Sequence, residues 1–258
     1  MTSHSTRFAM ATGTAIATLM TLAGSANAFS FTTNFTGNNA KEDIWLNSVT
    51  IGDQVISNFA VVNSANIIYN APYTGGNTGA ASADRGDNAS GINVEDPTNG
   101  HVVQALGNLN LNNILDGEDN GKFIIDVTFN GLVDNLLFWE RGQNSRLGVQ
   151  ALDAFGNLVG NFLLLDSKTW DYAGFKIDTT EIGGAQNVGS LGVSLADLGV
   201  SGPIQSIRLT SETSYNGPDF KVVGTAATAA AVPEPTTVLG LGLVAGLGFV
   251  SRRRRDRA

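Results

Sequence analysis

Phe123-Ile124-Ile125-Asp126-Val127-Thr128-Phe129 is the stretch that decides the fold class. Apolar residues at 123, 125, 127 and 129 alternate with Ile124, Asp126 and Thr128, and a period of two marks a strand with one face in a core and the other mostly wet. The same pattern recurs downstream. Leu147, Val149 and Ala151 lead into Asp153-Ala154-Phe155-Gly156-Asn157, and Leu158 to Leu165 runs back. A short Gly-Asn connection between two such runs predicts a β-hairpin.

Working outward, strands are expected over 49–56, 59–69, 102–106, 136–140, 172–178, 204–210 and 220–223, separated by Gly, Asn and Asp turns. No segment between the two ends of the chain carries a sustained helical period. Many short strands with such turns predict an all-β protein, an antiparallel β-sandwich or jelly-roll-like domain over residues 29–223. Two stretches break the pattern. Residues 72–97 are rich in Gly, Ala, Ser, Asn and Asp and read as a long mobile loop. Residues 224–231 read as a Thr/Ala linker, a spacer that its threonines also mark for glycosylation.

Charge and composition exclude several kinds of chemistry. Residues 29–235 hold 9 Lys+Arg against 22 Asp+Glu, a net charge of −13. A surface that acidic repels nucleic acid and anionic lipid and attracts cations. The chain has no cysteine, which rules out disulfides, thiolate nucleophiles and thiolate metal sites. Its histidines are His4 and His101, so a Ser-His-Asp triad within 29–223 must use His101, and a two-histidine zinc site lacks a second ligand.

The ends read as targeting segments. Arg7, the uncharged run from Phe8 to Ala23 and the small-x-small site Ala26-Asn27-Ala28 predict a signal peptide over residues 1–28, with Phe29 the first mature residue. At the other end, Val232-Pro233-Glu234-Pro235 precedes an apolar, glycine-rich run, with a membrane helix expected over about 236–251, and then Arg252, Arg253, Arg254, Arg255 and Arg257. The positive-inside rule keeps such an arginine block in the cytoplasm and the rest of the chain outside. The 16 residues from Thr236 to Ser251 span about 24 Å as a helix, short of a hydrocarbon core of about 30 Å. An ordinary membrane anchor is the plainer reading of the same residues.

The order Pro-Glu-Pro, short hydrophobic helix, arginine cluster over residues 232–258 resembles the PEP-CTERM sorting signal of bacteria. The resemblance implies recognition by an exosortase, a membrane protease-transferase that cuts near Pro-Glu-Pro and releases or re-anchors the protein at the cell surface. A second, narrower resemblance rests on Leu137-Phe138-Trp139-Glu140-Arg141-Gly142-Gln143-Asn144-Ser145, on the run from Val188 to Gly199, and on Tyr215-Asn216-Gly217-Pro218-Asp219-Phe220. These segments are similar to those of one group of exosortase-dependent surface proteins. That resemblance implies a location and assigns no chemistry.

Three sets of residues are candidates for chemistry of their own. Glu140, between Trp139 and Arg141, has the acid and the aromatic neighbour of a glycosidase, which also needs a second carboxylate about 5–10 Å away; among so many acidic residues such a pair arises by chance, and an ion pair of Glu140 with Arg141 or Arg146 at the end of a strand, with Trp139 in the core, is the plainer reading. Asp116, Glu118 and Asn120 place oxygen ligands at alternate positions before Gly121, as a calcium loop does, but position twelve is Val127 rather than a bidentate glutamate. A solvated acidic turn fits the same residues. Trp170-Asp171-Tyr172, two aromatics about a carboxylate, is the best candidate for stacking on sugar, with Trp45 beside Asp43 a second; the alternative is that these rings close the end of a core.

Arg85-Gly86-Asp87 spells an adhesion tripeptide that arises readily by chance, and Asn34-Phe35-Thr36 and Asn88-Ala89-Ser90 fit the glycosylation sequon. The expectation is an exported, non-enzymatic component of the cell surface or extracellular matrix with a structural or adhesive role, held briefly in the membrane by its tail. Its partners are the export machinery and an exosortase. No cofactor is required, calcium at 116–120 being the one candidate. A lectin-like module that holds exopolysaccharide is the alternative, and a glycoside hydrolase comes third.

Overall fold

In chain order the elements are Thr32–Thr36 (β1), Trp45–Ile51 (β2), Gln54–Ile56 (β3), Phe59–Ala60 (β4), Val62–Asn70 (β5), Asn99–Leu106 (α1), Phe123–Arg141 (β6), Leu147–Leu152 (β7), Leu158–Leu165 (β8), Asp171–Ile177 (β9), Gln186–Ser194 (β10), Ile204–Ser211 (β11) and Phe220–Ala226 (β12). They come from a computed structural model that describes residues 28–75, 78–83, 90–180 and 182–227. The expected signal peptide up to Asn27, Arg85-Gly86-Asp87, Asn88 and the sorting tail, from Val232 to Arg255 and beyond, lie outside the described residues. The described residues are all-β, with antiparallel sheets and one short helix.

The 19-residue strand β6 is the spine. Its first half, from Phe123 to Phe129, lies between β5 and β11; its second half, from Val133 to Arg141, lies between β10 and β12. The exchange of partners falls at Asn130-Gly131-Leu132, where the neighbouring ladders slip register. Strands that serve two sheets turn the corner at such irregularities. Phe123, Ile125, Val127 and Phe129 are buried, as their alternation predicts, while Ile124, Asp126 and Thr128 are half-buried.

That core also takes Leu136 and Phe138 from the second half of β6, Leu191 and Val193 from β10, Phe220 and Val222 from β12, Leu209 from β11 and Val149 from β7. A second core forms on the opposite face of the second half. There Leu137, Trp139, Val188, Phe175 and Val223 meet Phe31, just before β1, and Leu46 and Val49 of the small sheet β1-β2-β3. Residues 136–141 are therefore buried on both faces, which is why their sequence shows a continuous apolar run instead of alternation. Trp139 closes the second core edge-on to Phe31, ring centroids 5.3 Å apart, and its indole donates to Thr33 Oγ1 at 2.9 Å.

The hairpin β7-β8 forms where expected. Asp153 Oδ1 accepts from the backbone of Phe155 (2.8 Å) and Asn157 (2.9 Å); the Asn157 side chain first, and then these backbone donors, hold its carboxyl below the usual range. Other expectations need correction. Residues 102–106 are not a strand but most of α1. Thr98 caps it, its hydroxyl accepting from His101 N (3.4 Å) while His101 Nδ1 accepts from Thr98 N (3.2 Å). Because histidine takes the place usually held by Glu or Gln, the capping box was invisible. Val102, Ala105 and Leu106, at helical spacing, face the core, and a Cβ on Gly107 would collide with Val103 O and Val62 O, at 2.5 and 2.6 Å.

Residues 49–56 split into β2 and β3 about Gly52, whose φ of +56° makes the turn. The segments 123–129 and 136–140 are one strand, while β1 and β10 were not expected as strands. The stretch 72–97 is not wholly an open loop, for Ala80, Ala81, Ser82 and Ala83 are buried, and Ser82 and Ala83 bridge to Asp116 and Val94. β12 continues through Ala226, taking in the first three residues of the expected linker.

Candidate functional site

The end of β6 and the segment before β12, 78 residues apart in sequence, are brought side by side. Arg141 N donates to Asp219 O (2.9 Å) and Arg146 N to Tyr215 O (2.8 Å), and the Ser145 hydroxyl reaches Gly217 O (3.1 Å). Two non-glycine residues, Gln143 (φ +58°) and Asn216 (φ +62°), take left-handed conformations in these facing turns. Gly217 could carry no Cβ, since one would lie 1.9 Å from Gly117 O.

A buried ionic knot lies beneath. Arg141 Nε and Nη2 donate to Asp219 Oδ2 at 3.0 and 2.6 Å, Arg141 Nη1 reaches Thr179 Oγ1, and Asp116 Oδ2 is 3.9 Å from the guanidinium. Asp219 Oδ1 accepts from Gly117 N at 3.2 Å. Glu140 sits behind this pair without joining it. Its side chain is fully buried and neither carboxyl oxygen accepts a hydrogen bond. Burial first, then the negative charge of Asp219, pushes its pKa up to about 8. Ser145, the Gln143 backbone and Arg141 offset part of that shift, although the Ser145 hydroxyl is turned toward Gly217 O and Asn144 Oδ1.

The expected ion pair of Glu140 with Arg141 or Arg146 is therefore corrected: Arg141 is taken by Asp219, and Arg146 pairs with Asp166 at 3.4 Å. A polar cavity of about 140 Å³ opens above the knot, lined by Arg141, Asn144, Ser145, Gln186, Asn216 and Asp219. Glu140 is absent from its wall; the carboxylates that line it are Asp119 and Asp219, the latter held by the Arg141 guanidinium.

Asp116, Glu118 and Asn120 do not share one direction. Asp116 faces Arg141, Glu118 accepts from Ser82 Oγ at 2.8 Å in a buried contact, and Asn120 is exposed. Among the described residues no three or more His, Asp or Glu side chains gather as a metal cage. Lys221 of β12, which the sequence did not single out, is buried against the C-terminal end of α1, donating to Ala105 O (2.7 Å) and Asn108 Oδ1 (3.1 Å). Burial pulls its pKa well below the usual value. It closes the C-terminal carbonyls of α1, a structural task.

The candidate Trp170-Asp171-Tyr172 is divided. Trp170 is 7% exposed, its indole donating to Ser145 O at 3.0 Å, and it closes the end of the first core. Asp171 accepts from the Ser30 hydroxyl. Tyr172 alone presents its ring, 53% exposed, to a groove of about 290 Å³ between β9 and the loop after β1. Phe35, Gly37, Asn38, Gly174 and Lys176 line that groove with it. Composition gave no hint of Phe35 or Asn38, because β1 had not been read as a strand. Trp45 is exposed elsewhere, with Asp43 turned to Asn110 Nδ2 at 2.7 Å. The sequon residue Asn34 is half-buried, its amide donating to Ser48 and Thr50. Among the described residues no helix is long and apolar enough to cross a membrane.

Residues 231–255 match the PEP-CTERM protein-sorting motif. No curated protein matches the chain. Among solved structures, similarity is found to the catalytic unit of the thermostable GH87 alpha-1,3-glucanase from Streptomyces thermodiastaticus strain HF3-3, at 18% identity over 48% of this chain and 22% of that chain, with a TM-score of 0.27. So little of the two chains superposes that neither fold nor activity passes from one to the other.

Proposed function

From a chain that carries a PEP-CTERM sorting motif at residues 231–255, we infer an exported protein of the cell envelope, processed by an exosortase and serving there as a structural or adhesive component. The motif is the observation that carries this reading. We read the domain as a β-sandwich of the jelly-roll kind, a reading supported by its antiparallel sheets and by the change of neighbours along β6. Its buried charges support a structural role, because Arg141, Asp219 and Lys221 are occupied in holding segments together. The tail holds the protein in the inner membrane only until processing, and we propose no enzymatic activity. Protease treatment of intact cells tests the location: the full chain should be degraded from outside, and a chain ending at Ala231 should be missing from the envelope. Equal envelope retention of both chains would refute sorting by the motif.

A carbohydrate-binding role is the second reading, favoured by the exposed Tyr172 ring at the groove beside β9.

A further inference from the structure

We propose that the groove between β9 and the loop after β1 binds a pyranose unit of a neutral polysaccharide, with Tyr172 as the stacking platform and Asn38 and Lys176 as the hydrogen-bonding rim. This deepens the carbohydrate reading and leaves the sorting reading independent of it. Period two places Tyr172, Gly174 and Lys176 on one side of β9, and all three are exposed. The glycine between the two long side chains leaves a slot. Its floor is aromatic, since a Cβ on Gly174 would lie 3.7 Å from Phe35 Cε1, and Phe35 in turn leans on Phe175 with ring centroids 5.0 Å apart.

The opposite wall is fixed. Gly37 (φ +101°) turns so tightly that a Cβ would sit 2.2 Å from Asp43 O. The loop is tied to the end of β9 by Asp178 N donating to Ala40 O (3.0 Å) and by Lys41 paired with Asp178 (3.6 Å). A groove whose two walls are joined in this way is preorganised, so little ordering cost falls on a ligand.

The chemistry of the lining selects the occupant. An aromatic floor and face take an apolar ring surface, and a few polar groups at the rim fix its orientation. Among the described residues the Tyr172 hydroxyl, the Asn38 amide and the Lys176 ammonium have no side-chain partner, which leaves them for a ligand whose edge carries hydroxyls. A purely apolar ligand would leave these groups unanswered. An added peptide strand needs a regular edge, and the positive φ of Gly174 (+91°) interrupts it. A polyanion would meet a chain whose residues 29–235 carry a net charge of −13. A sugar ring with its hydrogens on one face and hydroxyls at its edge satisfies all three conditions.

The test uses the full chain in a detergent without a sugar headgroup. Maltohexaose, cellohexaose and laminarihexaose are titrated by calorimetry, with an oligoguluronate as the anionic comparison. At least one neutral hexaose should bind in the millimolar range or tighter, and Tyr172→Ala should weaken it by roughly tenfold or more. Lys176→Ala and Asn38→Ala should weaken it several-fold, while Phe162→Ala, at an exposed apolar residue on the distant strand β8, should leave it unchanged. Circular dichroism checks that each variant is folded. The proposal is overturned if no neutral hexaose binds, if the anionic oligomer binds better, or if Tyr172→Ala binds as the native chain does. A chain that binds no sugar yet is exported and processed would leave the sorting reading intact.

Discussion

Arg141 and Asp219 form a buried pair in which two guanidinium nitrogens share one carboxylate oxygen, at 3.0 and 2.6 Å, while the other oxygen receives Gly117 N. The pair pins the end of the longest strand to the turn before the last one. Through it, two short sequence segments and the acidic turn at 116–118 become a single joint.

Removing one member of a buried pair leaves the other as an uncompensated charge. Asp219→Ala should therefore cost about 3–5 kcal/mol, lessened by Asp116 at 3.9 Å. Arg146→Ala breaks a pair whose side chains are about two-fifths exposed and should cost less than about 1 kcal/mol. Urea unfolding of the two variants decides the matter. Equal losses would mean that the Arg141 pair is no more than a surface contact.

Glu140 makes stability depend on pH in a direction opposite to that of a salt-bridged carboxylate. Its pKa is raised from 4.5 to about 8 in the folded protein. Below about pH 4.5 it is protonated in both states and its full contribution is present. As pH rises toward 8 the unfolded chain releases the proton while the folded one retains it, so stability falls through that window by up to roughly 1.4 kcal/mol per pH unit and the loss is complete above the folded pKa. Glu140→Gln should flatten this slope and melt higher than the native chain at about pH 8. Thermal melts at acid and mildly alkaline pH measure it. An unchanged slope would show that the carboxyl is solvated.

Phe129 and Thr128 test the register of the spine. Phe129 is fully buried in the first core, so Phe129→Ala should lose about 3–5 kcal/mol. Thr128 points the other way, half-buried, its hydroxyl 2.9 Å from Ser206 Oγ. Thr128→Ala should lose about 1 kcal/mol, the worth of one hydrogen bond. A larger loss at Thr128 than at Phe129 would place the wrong face inward.

The same strand shows how far sequence carries. Over 123–129 one face is wet and the alternation is plain; from 136 the strand has a core on each side, and the pattern that would mark its faces vanishes. Helix α1 escaped because eight residues hold barely two turns and its capping box used His101. The β7-β8 turn was legible because Asp153 makes its own local bonds. The joint and the groove were not, since each is built from segments far apart in the chain. Trp170 and Tyr172 look equivalent in sequence, yet the Trp170 indole lies inward, donating to Ser145 O and packed against Gly189, while Tyr172 is exposed.

The tail permits a prediction from chain length. The fold grips the chain as far as Ala227, with Ala226 N donating to Asn58 O (3.0 Å) and Ala227 N to Leu132 O (2.8 Å). Only residues 228–231 separate that anchor from Val232, a reach of at most about 18 Å to Val232 itself at roughly 3.3–3.6 Å per residue. Pro233 and Pro235 disfavour helix, so the expected tail helix should begin only after Pro235. With the arginines kept inside, as the proposed topology requires, Val232 to Pro235 would lie at the outer face of the inner membrane, close to the folded domain. A processing enzyme must therefore cut close to the domain, and the mature protein should end near Pro235 without Arg252 to Ala258. Intact-mass measurement on protein from the native host reads this directly: a surface-located chain that retains the arginine cluster would show that the tail is only an anchor.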